Sequence, residues 1–193
     1  MPFRFNRSDF RRPLAQLNHM EIALSFFETH VDGTATLTLT AREPLATLEL
    51  DARDIEVFEV ALSMGATPPR GVRGRFGEPS LPGVADACGE ASLPADDFMK
   101  CAFALDAPRR KLVIALQRPL AAGEALRVFA RCRCTPSDTL LEGLYRDVTP
   151  PGKPQQFMSQ CQQWGFQRIL PVIDDCTAKC TFRTMLELSL IHI

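Results

Sequence analysis

Apolar and polar residues alternate with a period of two along most of this chain. In the run from His19 to Phe26, Met20, Ile22, Leu24 and Phe26 share one parity, while His19, Glu21 and Ser25 hold the other. The run from Thr34 to Thr40 is cleaner: Ala35, Leu37 and Leu39 are predicted to face inward, and Thr34, Thr36, Thr38 and Thr40 outward. The Asp32-Gly33 pair between these runs is a tight-turn signal and predicts a hairpin closed at that point. Leu48 and Leu50 mark a third strand. The stretch "DIEVFEVAL" then begins with Ile55 and Val57 and moves to Phe58, Val60 and Leu62. Such a change of parity predicts a bulge or a switch between sheets.

The pattern breaks at residues 64–97, where Pro, Gly, Ala and Asp dominate and a long loop is predicted. Gly71, Gly74 and Gly77 lack the strand-to-helix crossover and the Lys-Ser/Thr pair of a phosphate loop, so they read as loop glycines. Alternation resumes at Met99, Cys101, Phe103 and Leu105, again at Leu112, Ile114 and Leu116, and again at Leu126, Val128, Ala130 and Cys132. Turns fall at residues 108–111 and 119–123. A Pro-rich connection holding the sole tyrosine, Tyr145, leads to "FMSQC" and finally to "KCTFRTMLEL". About nine short strands with hardly any helical period predict an all-β sandwich of saddle-shaped antiparallel sheets. The expected division is an arm over residues 1–16, one sandwich domain over 17–187, and a separate tail over 188–193.

That tail, Leu188-Ser189-Leu190-Ile191-His192-Ile193, is what a common transposon-derived sequencing adapter encodes in this frame. It is therefore expected to be non-native, with an ordinary strand end as the alternative and the natural protein continuing beyond Glu187.

Composition narrows the function classes. With 22 basic and 23 acidic residues the net charge is −1, so no global field favours nucleic acid or a membrane surface. No apolar run reaches the roughly 18–20 residues of a membrane-spanning helix. The amino terminus carries arginines but no apolar segment of a secretory signal. The expectation is a soluble, cytoplasmic protein. Seven cysteines, several on apolar strand faces, read as reduced core thiols. A zinc site pairing Cys132 and Cys134 with Cys176 and Cys180 is disfavoured, because structural zinc sites use wider spacings set in turns.

The unusual chemistry gathers in "SQCQQWGFQRILPVIDD", residues 159–175, with Gln160, Gln162, Gln163, the only tryptophan, Trp164, and a closing Asp174-Asp175 pair. No His-Glu-x-x-His or Gly-x-Ser-x-Gly occurs, and His19 and His30 belong to the first hairpin, so no catalytic residue is assigned. Adjacent carboxylates rarely converge on one substrate atom, and Asp174-Asp175 reads as a turn or the start of a strand. Gln160 and Gln162, two apart, are expected to project to one side of an extended segment. There they would receive an ammonium or a peptide backbone, or else cap edge-strand groups.

These motifs, in their order, resemble the amino-terminal domain of zinc aminopeptidases of the aminopeptidase N type (gluzincins). That domain ends in Thr/Ser-Gln-x-Glu, a Gly-Phe-Arg or Ala-Arg step, an aliphatic run, an Asp and a strand with Lys/Arg-x-x-Phe. Here the counterparts are Ser159-Gln160-Cys161-Gln162, Gly165-Phe166, Ile173-Asp174 and Lys179 to Phe182. "GLYRD", "LATLELDARDIEVFEV" and "RPLAAGEALRV" resemble earlier elements, so the likeness runs from about Leu17 to Glu187. The resemblance implies a β-sandwich that lends one wall of a peptide site to a following thermolysin-like domain. Zinc would be bound in that domain by His-Glu-x-x-His, with no cofactor in this chain. It also implies that Gln160 lines the pocket for the first side chain. Gln162 occupies the position of a glutamate that binds the substrate's α-ammonium, and its neutral carboxamide departs from the pattern. Relatives that kept the sandwich as a protein-interaction module are the alternative.

Overall fold

The computed structural model describes residues 11–64 and 97–188. Most of the predicted long loop, residues 65–96, and the tail from Ser189 onward lie outside the described residues. The described residues form an all-β sandwich of eleven strands: β1 (Ala15–Phe26), β2 (Val31–Ala41), β3 (Leu45–Asp51), β4 (Ile55–Met64), β5 (Met99–Lys100), β6 (Phe103–Asp106), β7 (Lys111–Leu120), β8 (Ala125–Cys134), β9 (Gly143–Arg146), β10 (Phe157–Gln160) and β11 (Thr181–Glu187). A six-stranded sheet runs β11-β1-β2-β8-β4-β5, a three-stranded sheet runs β3-β7-β6, and β9 and β10 form a separate ribbon. Every pairing is antiparallel except β11, which lies parallel to β1 from His19↔Thr181 to Ser25↔Glu187. The expected uniformly antiparallel sheets therefore have one exception. Among the described residues no helix is long and apolar enough to cross a membrane.

The first hairpin forms, but not at Asp32-Gly33. Its turn spans Phe27–His30, closed by the Phe27 N–H donating to the His30 carbonyl at 3.0 Å. Asp32 and Gly33 lie inside β2. Asp32 accepts from Arg133 of β8 at 2.6 and 2.9 Å, and this guanidinium holds its carboxyl below the usual range. Gly33 permits close packing: a Cβ there would lie 2.7 Å from Leu170 Cδ2 and would displace that buried side chain. A sequence that marks a turn elsewhere here serves a charge pair and a close contact.

The threonine face also differs from expectation. Thr36 and Thr38 are buried, because β2 lies between two strands carrying longer outer side chains. Phe129 and Glu21 flank Thr36, and Arg127 and His19 flank Thr38. The same outer face carries Arg127, Arg131 and Arg133 on β8, facing Asp97, Glu59 and Asp32 respectively. Phe58 projects there too, with the Arg131 and Arg133 guanidiniums 5.8 and 5.5 Å from its ring centre. Its placement follows from the bulge between Val57 and Glu59, where the parity shift predicted one. The run from Met99 to Leu105 is two strands: β5 joins β4 in the large sheet, and β6 joins β7 in the small one.

One core spans both sheets. Leu37 and Leu39 of β2, Val128 and Cys132 of β8, Leu48 and Leu50 of β3, and Leu112 and Ile114 of β7 pack in a single cluster. Ile169, Leu170, Val172 and Ile173, from the connection between β10 and β11, complete it. Each fully buried aliphatic side chain contributes about 1.5–3 kcal/mol, so this plug is a principal part of the core. Cys132 and Cys134 sit within it as thiols, and burial pushes Cys134 up to about 12 and raises Cys132 as well. The unfolded chain releases these protons from near the ordinary thiol value of 9.0, whereas the folded chain retains them. Stability is therefore intact below about pH 9 and is lost as pH rises toward 12. Thermal melts should show a steeper fall in Tm between about pH 9 and 11 for the wild type than for Cys132→Val/Cys134→Val. Equal slopes would contradict the burial argument.

Candidate functional site

Gln160 is the last residue of β10, and the ribbon places it opposite Gly143, with Ser159↔Leu144, Met158↔Tyr145 and Phe157↔Arg146 behind it. The ribbon is anchored at its far end. Phe157 packs edge-on against Phe26 at 5.7 Å, and Arg146 donates to the Glu28, Thr29 and Pro136 carbonyls and to Asp138 at 3.0–3.2 Å. The polar cluster is thus carried by a ribbon tied to the β1–β2 turn.

Beyond Gln160 the chain turns sharply. The Gly165 N–H donates to the Cys161 carbonyl at 2.9 Å, and a 3-10 helix, Phe166–Arg168, follows at once. Gly165 has an ordinary φ of −80°, so its role is close approach. A Cβ there would lie 2.2 Å from the Gln160 carbonyl oxygen and 2.9 Å from the Gly143 nitrogen. Gly143, at φ +71°, is crowded in turn, since its Cβ would lie 2.8 Å from Arg168 Cβ. The two glycines let the turn lie directly on the end of the ribbon.

The structure brings Gln160 and Gln162 together, though not as two carboxamides projecting side by side from a strand. Because β10 ends at Gln160, Gln162 enters the turn, and Gln160 Nε2 donates to the Gln162 carbonyl at 3.0 Å. Among the described residues the Gln162 carboxamide has no hydrogen-bond partner, and both side chains are exposed. Trp164 follows at φ +60°, with 61% of its surface exposed. Burial raises the Cys161 thiol, and the neighbouring Asp174 charge raises it further, so the turn carries no charged side chain.

The residues after the turn hold it in place. Asp51 pairs with Val172 through N–H···O contacts of 2.6 and 3.0 Å in both directions. Its carboxylate accepts from the Asp174 N–H at 3.0 Å and from Lys111 Nζ at 2.6 Å. Asp174 accepts from the Gln167 N–H at 3.2 Å. Burial pushes its carboxyl above the ordinary range, the Gln167 hydrogen bonds oppose this, and the Asp51 and Asp175 charges add to it. Asp175 accepts from the Thr177 N–H and hydroxyl. Both acids therefore serve local backbone turns and do not face each other as an acid–base pair. Arg168, which no sequence signal singled out, donates to Glu142 at 3.0 Å and Asp54 at 2.6 Å, and Arg53 also reaches Glu142 at 3.4 Å.

No group of three or more His, Cys, Asp or Glu among the described residues could hold a metal ion. The Cys132 and Cys134 side chains belong to the core, while Cys176 is exposed. These residues do not fit zinc, and no step through it is assigned to this chain.

A crowded glycine should be intolerant of even one carbon. Gly165→Ala is expected to cost about 1–3 kcal/mol in urea unfolding, because its new neighbours are backbone atoms that cannot rotate away. Gly152→Ala, in open space at φ +78°, should cost about 1 kcal/mol from backbone strain alone. Equal losses would show that the turn does not rest on the ribbon.

No family model and no curated protein matches the sequence. Solved structures do match the fold. The M1 zinc metallopeptidase from Deinococcus radiodurans superposes with a TM-score of 0.61 at 19% identity, over 93% of this chain and 33% of that one. A point mutant of that enzyme bound to a Tyr-Ser-Ala substrate gives 0.59 at 20% identity, over 90% and 32%. The chain thus spans about a third of the length of the metallopeptidases it resembles and has the fold of that part of them.

Proposed function

We propose that this chain is the amino-terminal, substrate-pocket domain of a soluble, cytoplasmic zinc aminopeptidase. In this reading the Gln160–Gln162 turn forms one wall of the site for a peptide amino terminus. Gln160 borders the first side chain, and Gln162 accepts a hydrogen bond from the α-ammonium. A neutral acceptor forgoes the charge assistance of a carboxylate, so the facing domain supplies the negative charge. The chemistry that zinc held in that domain would supply is the activation of a water molecule toward the first peptide bond. This chain's own contribution is to bind and orient.

The observation that carries the reading is an exposed, neutral, hydrogen-bonding turn on a sandwich that matches one third of a metallopeptidase. A second observation supports it. Strand β11 is exposed along its whole length, with Phe182, Met185 and Leu186 each about half exposed. An apolar edge of this kind suits burial under a further domain. The absence of a carboxylate at Gln162 favours the second reading, a non-catalytic interaction module on the same sandwich.

The purified chain, supplied with zinc, should not hydrolyse amino-acyl arylamides. Measurable turnover that tracks the protein through purification would overturn the assignment of catalysis to another domain.

A further inference from the structure

We propose that Trp164 is a specificity-determining residue, an apolar wall that selects peptides beginning with a large non-polar residue. This rests on the reading of the Gln160–Gln162 turn as a site for a peptide amino terminus.

Three observations bring Trp164 into the same turn as that site. Trp164 is one peptide step, about 3.8 Å between α-carbons, from Gly165, and Gly165 lies against the Gln160 carbonyl. Gln160 in turn donates to the backbone of Gln162, so Gln160, Gln162 and Trp164 share one closed turn. The left-handed φ of +60° at Trp164 is costly for a bulky residue, roughly 1–3 kcal/mol. That cost leaves the protein's sole tryptophan 61% exposed, which packing among the described residues does not explain.

The chemistry of the surroundings selects the ligand. Residues 157–166, "FMSQCQQWGF", contain no ionisable side chain apart from Cys161. A charged first side chain would find no counter-ion in this segment, and the neighbouring Asp174 carboxyl is half-buried and already accepts from the Gln167 N–H, so desolvating the charge there is unfavourable. Met158, two residues before Gln160 on β10, shares its strand face and is about half exposed. Met158 on the ribbon and Trp164 in the turn thus both offer exposed, polarizable apolar surface close in the chain to the glutamine, suited to a Leu, Met or Phe side chain. The wall is pre-organised, because the Gly143–Gly165 contact holds the turn to the ribbon.

Nuclear magnetic resonance of the uniformly 15N-labelled chain tests this directly, since a single tryptophan gives a single indole N–H signal. The probes are phenylalaninamide, glycinamide and lysinamide, titrated into the millimolar range. Phenylalaninamide should shift the Gln160 and Gln162 carboxamide signals and the indole signal together, binding about tenfold tighter than glycinamide. Lysinamide should bind no tighter than glycinamide. Trp164→Gly suits the left-handed backbone, and its fold is verified from the remaining amide signals. In that variant the preference for phenylalaninamide should fall to within about twofold. If the glutamine signals move while the indole stays still and the amides bind equally, the specificity role is wrong. Trp164 is then a contact for another domain, and the amino-terminus site stands. If neither set of signals moves with any probe, the binding reading itself fails and this inference falls with it.

Discussion

Leu170 packs so closely over Gly33, near the start of the central strand β2, that a Cβ there would lie 2.7 Å from its Cδ2, and the seating of the β10–β11 connection in the core depends on that fit. With Ile169, Val172 and Ile173 it drives an otherwise irregular connection into the core between the two sheets. Asp51 fixes the same segment from the other side, pairing with Val172 by backbone and gathering Asp174 and Lys111 onto its carboxylate. Burial supplies the affinity of the plug for the sandwich, and these directional bonds set its register. The Gln160–Gly165 turn is then stretched between two fixed ends, the β9–β10 ribbon before it and the plug after it.

The sequence was most informative where one physical rule governs a residue. Period-two burial located the strands from β1 to β4, and the parity shift at Val57 located the bulge, because both reflect alternation on a half-buried sheet. It was least informative where a residue answers to a partner distant in the chain. Asp32-Gly33 has turn chemistry, yet Arg133, about a hundred residues away, and Leu170 hold it inside a strand. Thr36 and Thr38 alternate as surface residues do, but the longer side chains of β1 and β8 cover them. The parallel pairing of β11 with β1 could not be read from either strand alone, since only the route of the plug decides it.

The candidate site shows the same division. Gln160 and Gln162 were evident as an unusual pair, and the structure gathers them, but in a turn where one carboxamide braces the backbone of the other. Gly143 and Gly165 stood in legible motifs without an evident reason. Their contact with each other across the ribbon supplies it. The Arg168–Glu142–Asp54 contacts had no sequence signal at all, being assembled from three separate segments.

A neutral turn on a ribbon tied to the β1–β2 turn, with an unburied apolar strand in the same sandwich, is what the proposed half-site requires. The central proposal is that a zinc-bearing peptidase domain supplies the other half, and the most direct measurement is the full reading frame of the gene that encodes this sandwich. The account predicts that it encodes His-Glu-x-x-His followed by a downstream zinc-ligating Glu. A frame in which those ligands are replaced would contradict it and leave the sandwich as an interaction module.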